Sequence, residues 1–211
     1  MLSFEKALDT VLSSVCPLGV ESVAITDAAN RVLAEDVKSD MDMPPFNKSA
    51  MDGYACRRVD LPNELTITET IPAGYTPTKS VGANKCSKIM TGGVVPEGAD
   101  CVVMKEYIES PAENTIRFVG EETKDNICLK GEDIKAGDVV LRKGTLLKPQ
   151  HIAVLASVGH AKPVVSKMPR VGIIATGSEL VDPGAVPEPS QIRNSNSFQL
   201  AAQAGRVGVP V

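Results

Sequence analysis

The sequence predicts a multidomain chain of mixed class, α/β together with all-β, and three features carry that expectation. From about residue 54 to 147, short β-prone runs alternate with Gly, Pro, Asn and Asp, as strands joined by tight turns do. From residue 170 the pattern changes: Arg170-Val171-Gly172-Ile173-Ile174-Ala175 is almost continuously apolar, like a buried parallel strand, and a helical pattern follows it. With 211 residues, 43% of them hydrophobic, the chain is long enough for one or two cores.

The elements follow in order. Phe4, Ala7, Leu8, Val11, Leu12 and Val15 lie on one helical face over residues 4–15, with Ser3 as N-cap and Pro17 and Gly19 as the stop. Thr26 or Asp27 caps a short helical turn, and Val32–Val37 reads as extended. The segment Met43-Pro44-Pro45-Phe46 cannot continue a helix and marks a domain crossing. Strands are predicted at Leu65–Thr70, Lys85–Met90, Cys101–Met104, Thr115–Phe118 and Val139–Leu141, forming a small barrel or sandwich. Pro149 opens a helix over Gln150–Val158 that Gly159 closes. A last helix starts after Asn194 or Ser195 and carries Phe198, Leu200, Ala201 and Ala204, and Gly208-Val209-Pro210-Val211 enters a second strand. A lone βα unit cannot bury both faces of its strand, so either the α/β region is truncated here or its missing part comes from elsewhere.

Composition removes several classes of function. The charge balance is 22 basic against 26 acidic residues, with three Tyr and no Trp, which leaves neither a basic stripe nor stacking aromatics for nucleic acid. The acidic start lacks the pattern of a signal peptide and no apolar run is long enough to span a bilayer, so the expected compartment is the cytoplasm. Five widely spaced cysteines without a C-x-x-C read as free thiols in a reducing compartment, not as a zinc site.

Four constellations carry chemistry. Ser49-Ala50-Met51-Asp52-Gly53 sets a carboxylate and a glycine before a strand, which is also what a plain Asp-Gly turn would do. Met90-Thr91-Gly92-Gly93 offers backbone N–H groups and a hydroxyl to an anion, or is a simple hairpin or bulge. Lys130-Gly131-Glu132-Asp133 is a solvated turn or a pair of oxygen ligands for a hard cation. Thr176-Gly177-Ser178-Glu179 at a strand exit, with Asn194-Ser195 at the next helix start, sits where α/β sheets bind ligands and where a helix N-terminus receives phosphate, although capping alone accounts for Asn194 and Ser195. Neither His151 nor His160 belongs to a nucleophilic triad, so the inventory of carboxylates, hydroxyls and glycines suits magnesium and phosphate chemistry better than acyl transfer.

Together the runs Pro45-Phe46, Ser49-Ala50-Met51-Asp52-Gly53-Tyr54-Ala55, Met90-Thr91-Gly92, Val95-Pro96-Glu97-Gly98-Ala99-Asp100, Gly131-Glu132-Asp133-Ile134 and Ala175-Thr176-Gly177-Ser178-Glu179-Leu180 resemble, in order and spacing, the molybdopterin molybdenumtransferase family. That family comprises the bacterial MoeA-type enzyme and the homologous C-terminal domain of gephyrin. The resemblance implies a β-rich domain (39–137) inserted into a small connecting domain (21–38 and 138–166). It also implies an N-terminal helix (1–20) packed on the α/β region and the start of a molybdopterin-binding-type α/β domain (167–211). It implies a homodimer that inserts molybdate into adenylylated molybdopterin with release of AMP, dependent on Mg2+, with other molybdenum cofactor biosynthesis proteins as partners. The 211-residue chain alone would then turn over little. A noncatalytic scaffolding module of the same fold is the alternative that it implies.

Carried over by motif, the catalytic residues are Asp52, Thr91, Asp133 and Glu179. Thr176, Gly177, Ser178, Asn194 and Ser195 would bind the pterin nucleotide, and Glu179 with Asp52 would bind the metal. The chain departs from the family pattern at four places. Asn47-Lys48 replaces Asp-Asn, Cys128-Leu129-Lys130 replaces a more basic run, Ser178 replaces Asp, and Asn194 replaces the Asp of an Asp-Ser-Asn.

Overall fold

The structure is a computed structural model that describes residues 2–209. In chain order its elements are α1 (Phe4–Ser13), β1 (Val20–Ser22), β2 (Val37–Lys38), β3 (Lys48–Ser49), β4 (Gly53–Cys56), β5 (Glu64–Ile71), β6 (Lys85–Ile89) and β7 (Cys101–Met104). There follow β8 (Ile108–Ala112), β9 (Thr115–Phe118), β10 (Ile127–Cys128), β11 (Val139–Leu141), α2 (Pro149–Ser157), β12 (Val164–Ser166), β13 (Leu180–Val181), β14 (Ile192–Arg193) and α3 (Asn196–Arg206). They form two units, one spanning Lys38–Asp138 and the other made of the chain up to Val37 and from Val139 onward.

The Lys38–Asp138 unit is built on a six-stranded sheet in the order β7-β4-β6-β5-β9-β8. Only β5 and β6 run parallel; the other neighbours are antiparallel. Successive side chains on a strand point to opposite faces, and here both faces are covered. Cys56, Leu65, Cys86, Cys101, Val103 and Ile116 form a core on one side, and Ala55, Ile71, Ile89 and Val102 on the other. This double burial is why Gly53–Cys56 and Cys101–Met104 have no polar alternation. The sheet does not close on itself, so the expected barrel or sandwich is an open mixed sheet with edge strands β7 and β8. Backbone approach is tightest at Gly53, where a Cβ would lie 1.9 Å from the Val103 carbonyl oxygen.

The other unit centres on Leu33, Leu147, Leu155, Val158 and Val165, all buried, with β1 antiparallel to β12. Ser3 caps α1 through Lys6 N–H at 3.3 Å, and Pro149 opens α2 behind a cap in which the Lys148 N–H donates to His151 Nδ1. No residue of α1 is buried, and Phe4 is 76% exposed.

Several elements differ from expectation. The run Arg170–Ala175 joins no ladder and Ile174 is 87% exposed. A parallel strand exists only through its neighbours, and none stands beside this run among the described residues. The parallel pair found instead is β13 with β14. Val32 and Leu33 make isolated bridges, so the extended stretch before Val37 is not one strand. The turn at Ile25–Asp27 has Ala24, not Thr26 or Asp27, at its N-cap, and α1 stops at Ser13. The second strand expected through Pro210 and Val211 falls on residues outside those described.

Candidate functional site

Strand register assembles the first group. Gly53 pairs with Ile89 on one side and with Met104 on the other, so the residues just beyond those strands meet Asp52, which precedes Gly53. The Thr91 backbone N–H and hydroxyl both donate to Asp52 Oδ1, at 2.8 Å each. Lys105 Nζ lies 3.6 Å from Oδ2, and the Lys105 backbone N–H donates to the Asp52 carbonyl at 3.2 Å. These donors hold the Asp52 carboxyl below its ordinary value, the Thr91 N–H most strongly, then the Thr91 hydroxyl, with Lys105 adding attraction. The Asp52–Thr91 group is half open to solvent and joins two of the four motif regions. Asp52 is an ionised acceptor whose Oδ1 is already saturated.

The loop before Asp52 is set by Ser49, which is buried and whose hydroxyl donates to the Met51 carbonyl. Strand β3 lies between Gly92–Val94 and β10, since Ser49 N–H donates to Gly93 O, Gly92 N–H to Ser49 O, and Lys48 pairs with both Val94 and Cys128. These bonds answer the expectation of an anion cradle at Thr91-Gly92-Gly93. The N–H groups go to Asp52, Ser49 O and Met90 O respectively, and none is left for a ligand.

Asp133 sits in a loop tied to the Met43–Pro44 segment by Gly131 N–H to Pro44 O and Asp133 N–H to Met43 O, at 2.9 and 3.0 Å. Its side chain is exposed. Burial and the neighbouring Glu132 carboxylate raise the nearby Cys128 thiol. Asn47, one of the departures from the family pattern, is used structurally, its Oδ1 accepting the Lys130 N–H at 2.8 Å.

The remaining candidates lie in the other unit. Thr176, Asn194 and Ser195 line a cavity of about 310 Å³, together with Ile173, Leu180 and Asn196. Gly177, Ser178 and Glu179 are exposed beside it. Gly177 has φ +143°, and the Glu179 carboxylate lies over it, so that a Cβ there would stand 2.5 Å from Oε1. Ile192 N–H donates to the Glu179 carbonyl and Asn194 N–H to the Val181 carbonyl, which fastens the loop to the start of α3. Asn194 Oδ1 accepts the Ser197 N–H at 3.2 Å, so Asn194 does the capping and the Ser195 side chain makes no cap bond. A hollow of about 510 Å³ lined by Arg58, Leu61, Pro62 and Phe118 contains none of the candidate residues.

Lys105 is the member of the Asp52 group that sequence reasoning missed. It belongs to no motif, and only the pairing of Gly53 with Met104 reveals it.

The Lys38–Asp138 unit, inserted between the two segments of the other unit, sets the class: the N-terminal region of MoeA proteins. The family model for that region, described as MoeA N-terminal region (domain I and II), matches residues 2–159, and the chain belongs to the MoeA family. It is similar to the molybdopterin molybdenumtransferase of Staphylococcus aureus (strain Mu50 / ATCC 700699), 41% identical over 215 residues covering 98% of this chain and 51% of that protein. The Staphylococcus epidermidis protein of the same name (strain ATCC 12228 / FDA PCI 1200) is 38% identical over 218 residues, covering 100% and 52%. The crystal structure of the molybdopterin biosynthesis moeA protein from Pyrococcus horikoshii OT3 superposes with a TM-score of 0.87 at 36% identity, covering 100% of this chain and 59% of that one. The chain thus spans about half the length of the curated relatives it matches. None of the described helices is long and apolar enough to cross a membrane.

Proposed function

We propose that this chain serves molybdenum cofactor biosynthesis as part of a molybdopterin molybdenumtransferase that joins molybdate to adenylylated molybdopterin and releases AMP. The observation that carries the reading is the Asp52–Thr91 contact, which brings two separate family motifs into one group. The names of the 41% and 38% identical relatives supply the substrate class.

In this reading Thr176, Gly177, Ser178, Asn194 and Ser195 receive the pterin nucleotide, whose phosphates suit small residues and a helix start. Asp52, Thr91 and Asp133 are the residues of the β-rich unit that this reading assigns to the reaction. Asp52 works as a fixed anionic acceptor, not as a base, because its carboxyl titrates below the ordinary range and Oδ1 is already filled. Such an acceptor orients an N–H or O–H of the substrate.

Magnesium, when bound, would be held by one or two carboxylates together with substrate phosphates, and would supply positive charge beside them. No group of three or more His, Cys, Asp or Glu converges among the described residues. Asp52 Oδ1 is filled by Thr91 and Oδ2 stands 3.6 Å from the Lys105 ammonium, whereas Glu179 makes no ion pair among the described residues. Glu179 is therefore the residue that fits as a single carboxylate ligand beside a phosphate.

The proposal extends to a cytoplasmic homodimer working with other molybdenum cofactor biosynthesis proteins. Five cysteines free of disulfides support the reducing compartment. It retains the division into an N-terminal helix (1–20), a connecting domain (21–38 and 138–166), a β-rich insertion (39–137) and an α/β domain beginning at 167. The test replaces the matching half of the Staphylococcus aureus relative with this chain and measures AMP released from adenylylated molybdopterin, molybdate and magnesium. Asp52→Asn and Glu179→Ala are expected to abolish release with folding retained. Release at the unsubstituted rate in both variants would refute the site.

A further inference from the structure

Three thiols that the proposed reaction does not use stand side by side in the sheet. Register sets Cys56 on β4 across from Cys101 on β7 and from Cys86 on β6, and all three are fully buried. The Sγ atoms of Cys56 and Cys101 are 3.7 Å apart, although 45 positions separate them in the chain. The Cys56 S–H donates to Cys101 Sγ, and the Cys101 S–H donates to the Cys56 carbonyl at 3.7 Å. Cys86 has no such sulfur partner among the described residues, and burial alone shifts its thiol upward.

Packing of a small apolar side chain accounts for one buried cysteine at a time. It does not account for two sulfurs in contact across a strand pair. Opposed residues of antiparallel strands stand about 4.5–5.5 Å apart at Cα, inside the roughly 4.4–6.8 Å that a disulfide spans. Side-chain rotation can therefore close the bond with β4 and β7 left in place. The shared hydrogen bond holds the Cys101 thiol below its ordinary value and pushes the Cys56 thiol up, so Cys101 is the better nucleophile of the two. Strand β7 is an edge strand, and Cys101 begins it directly behind exposed Asp100, so local opening of that end reaches the pair.

We propose that Cys56 and Cys101 are a redox couple that a small disulfide oxidant closes to a reversible crosslink, fastening edge strand β7 to β4, the strand that follows Asp52. The Cys101 thiolate, its proton given to water, attacks one sulfur of the oxidant, and one thiolate leaves. The Cys56 sulfur then attacks Cys101 Sγ in the mixed disulfide, and the second thiolate leaves with the Cys56 proton. Two electrons pass from the protein pair to the oxidant, which ends as two thiols. In a reducing compartment the pair stays open, because cytosolic disulfides that form are transient.

The wild-type 211-residue chain is held for hours, without denaturant, in a mixture of reduced and oxidised glutathione. Remaining thiols are then trapped with maleimide in denaturant, and the peptides are mapped by mass spectrometry. A Cys56–Cys101 linkage is expected, with Cys86 trapped as a free thiol, and a dithiol reductant should restore the starting mass. The oxidised chain is expected to melt at a higher temperature than the reduced one, because the crosslink restricts the unfolded chain. Cys86→Ala should keep both results, and Cys101→Ala should lose both. Free thiols at Cys56 and Cys101 while exposed Cys16 carries glutathione, a Cys56–Cys86 linkage, or a wild-type melting point unmoved by oxidation would overturn the assignment.

Discussion

Replacing Gly53 by alanine tests whether backbone proximity in the sheet builds the site. The added Cβ would stand 1.9 Å from the Val103 carbonyl oxygen, 2.8 Å from its carbon and 3.2 Å from Met104 Cα, and all three are backbone atoms of β7. Real Cβ contacts stop near 3.0 Å, so β4 and β7 must separate by more than 1 Å. N–H···O bonds of roughly 2.9 Å stretched by that amount are no longer hydrogen bonds. Losing one or two costs about 0.5–1.5 kcal/mol each, and overpacking strain adds about 1–3 kcal/mol, for a total of about 1.5–6 kcal/mol. At about 4–8 °C per kcal/mol for a domain of this size, the Lys38–Asp138 unit should melt at least about 6 °C lower. Thermal unfolding by circular dichroism measures it, with Gly82→Ala as control, since a Cβ there meets nothing closer than 3.9 Å. A Gly53→Ala melting point within about 4 °C of wild type would refute the close-approach argument.

Three further outcomes are expected. Ile116→Ala in β9 empties a fully buried position and should cost about 2–5 kcal/mol, read as a lower urea midpoint; an unchanged midpoint would show that this face of the sheet is not a core. Asp52 is depressed in the folded state, so its stabilisation is complete above the unfolded value of about 3.9 and is lost as pH falls through the lower folded value. The melting point of the wild type should therefore fall more steeply than that of Asp52→Asn between about pH 5 and 2, and equal slopes would contradict the assignment. Maleimide should label exposed Cys16 quickly and leave Cys56, Cys86 and Cys101 untouched until denaturant is added, because those three are buried and burial pushes the Cys86 thiol up to about 12. Rapid labelling at all five positions would mean that the sheet opens readily.

Local chemistry is what the sequence by itself determined. Cys101–Met104, Thr115–Phe118 and Val139–Leu141 are strands with the expected bounds, and Pro149 opens α2 as its missing N–H allows. Turn residues and apolar runs act over a few neighbours, so they are readable without coordinates. Asp52 and Thr91 are named by the family resemblance of their motifs, since local chemistry alone also fits a plain turn and a hairpin.

Tertiary structure alone decided what those residues touch. Asp52 meets Thr91 and Lys105 because Gly53 pairs with both Ile89 and Met104, and a register between strands far apart in sequence leaves no mark on either one. The glycines of Thr91-Gly92-Gly93 follow the same rule: their N–H groups are consumed by Ser49 and Met90, partners that a linear reading does not reveal. Arg170–Ala175 has the composition of a buried strand and yet no ladder, because a strand is a relation between segments and its hydrogen bonds must come from another one.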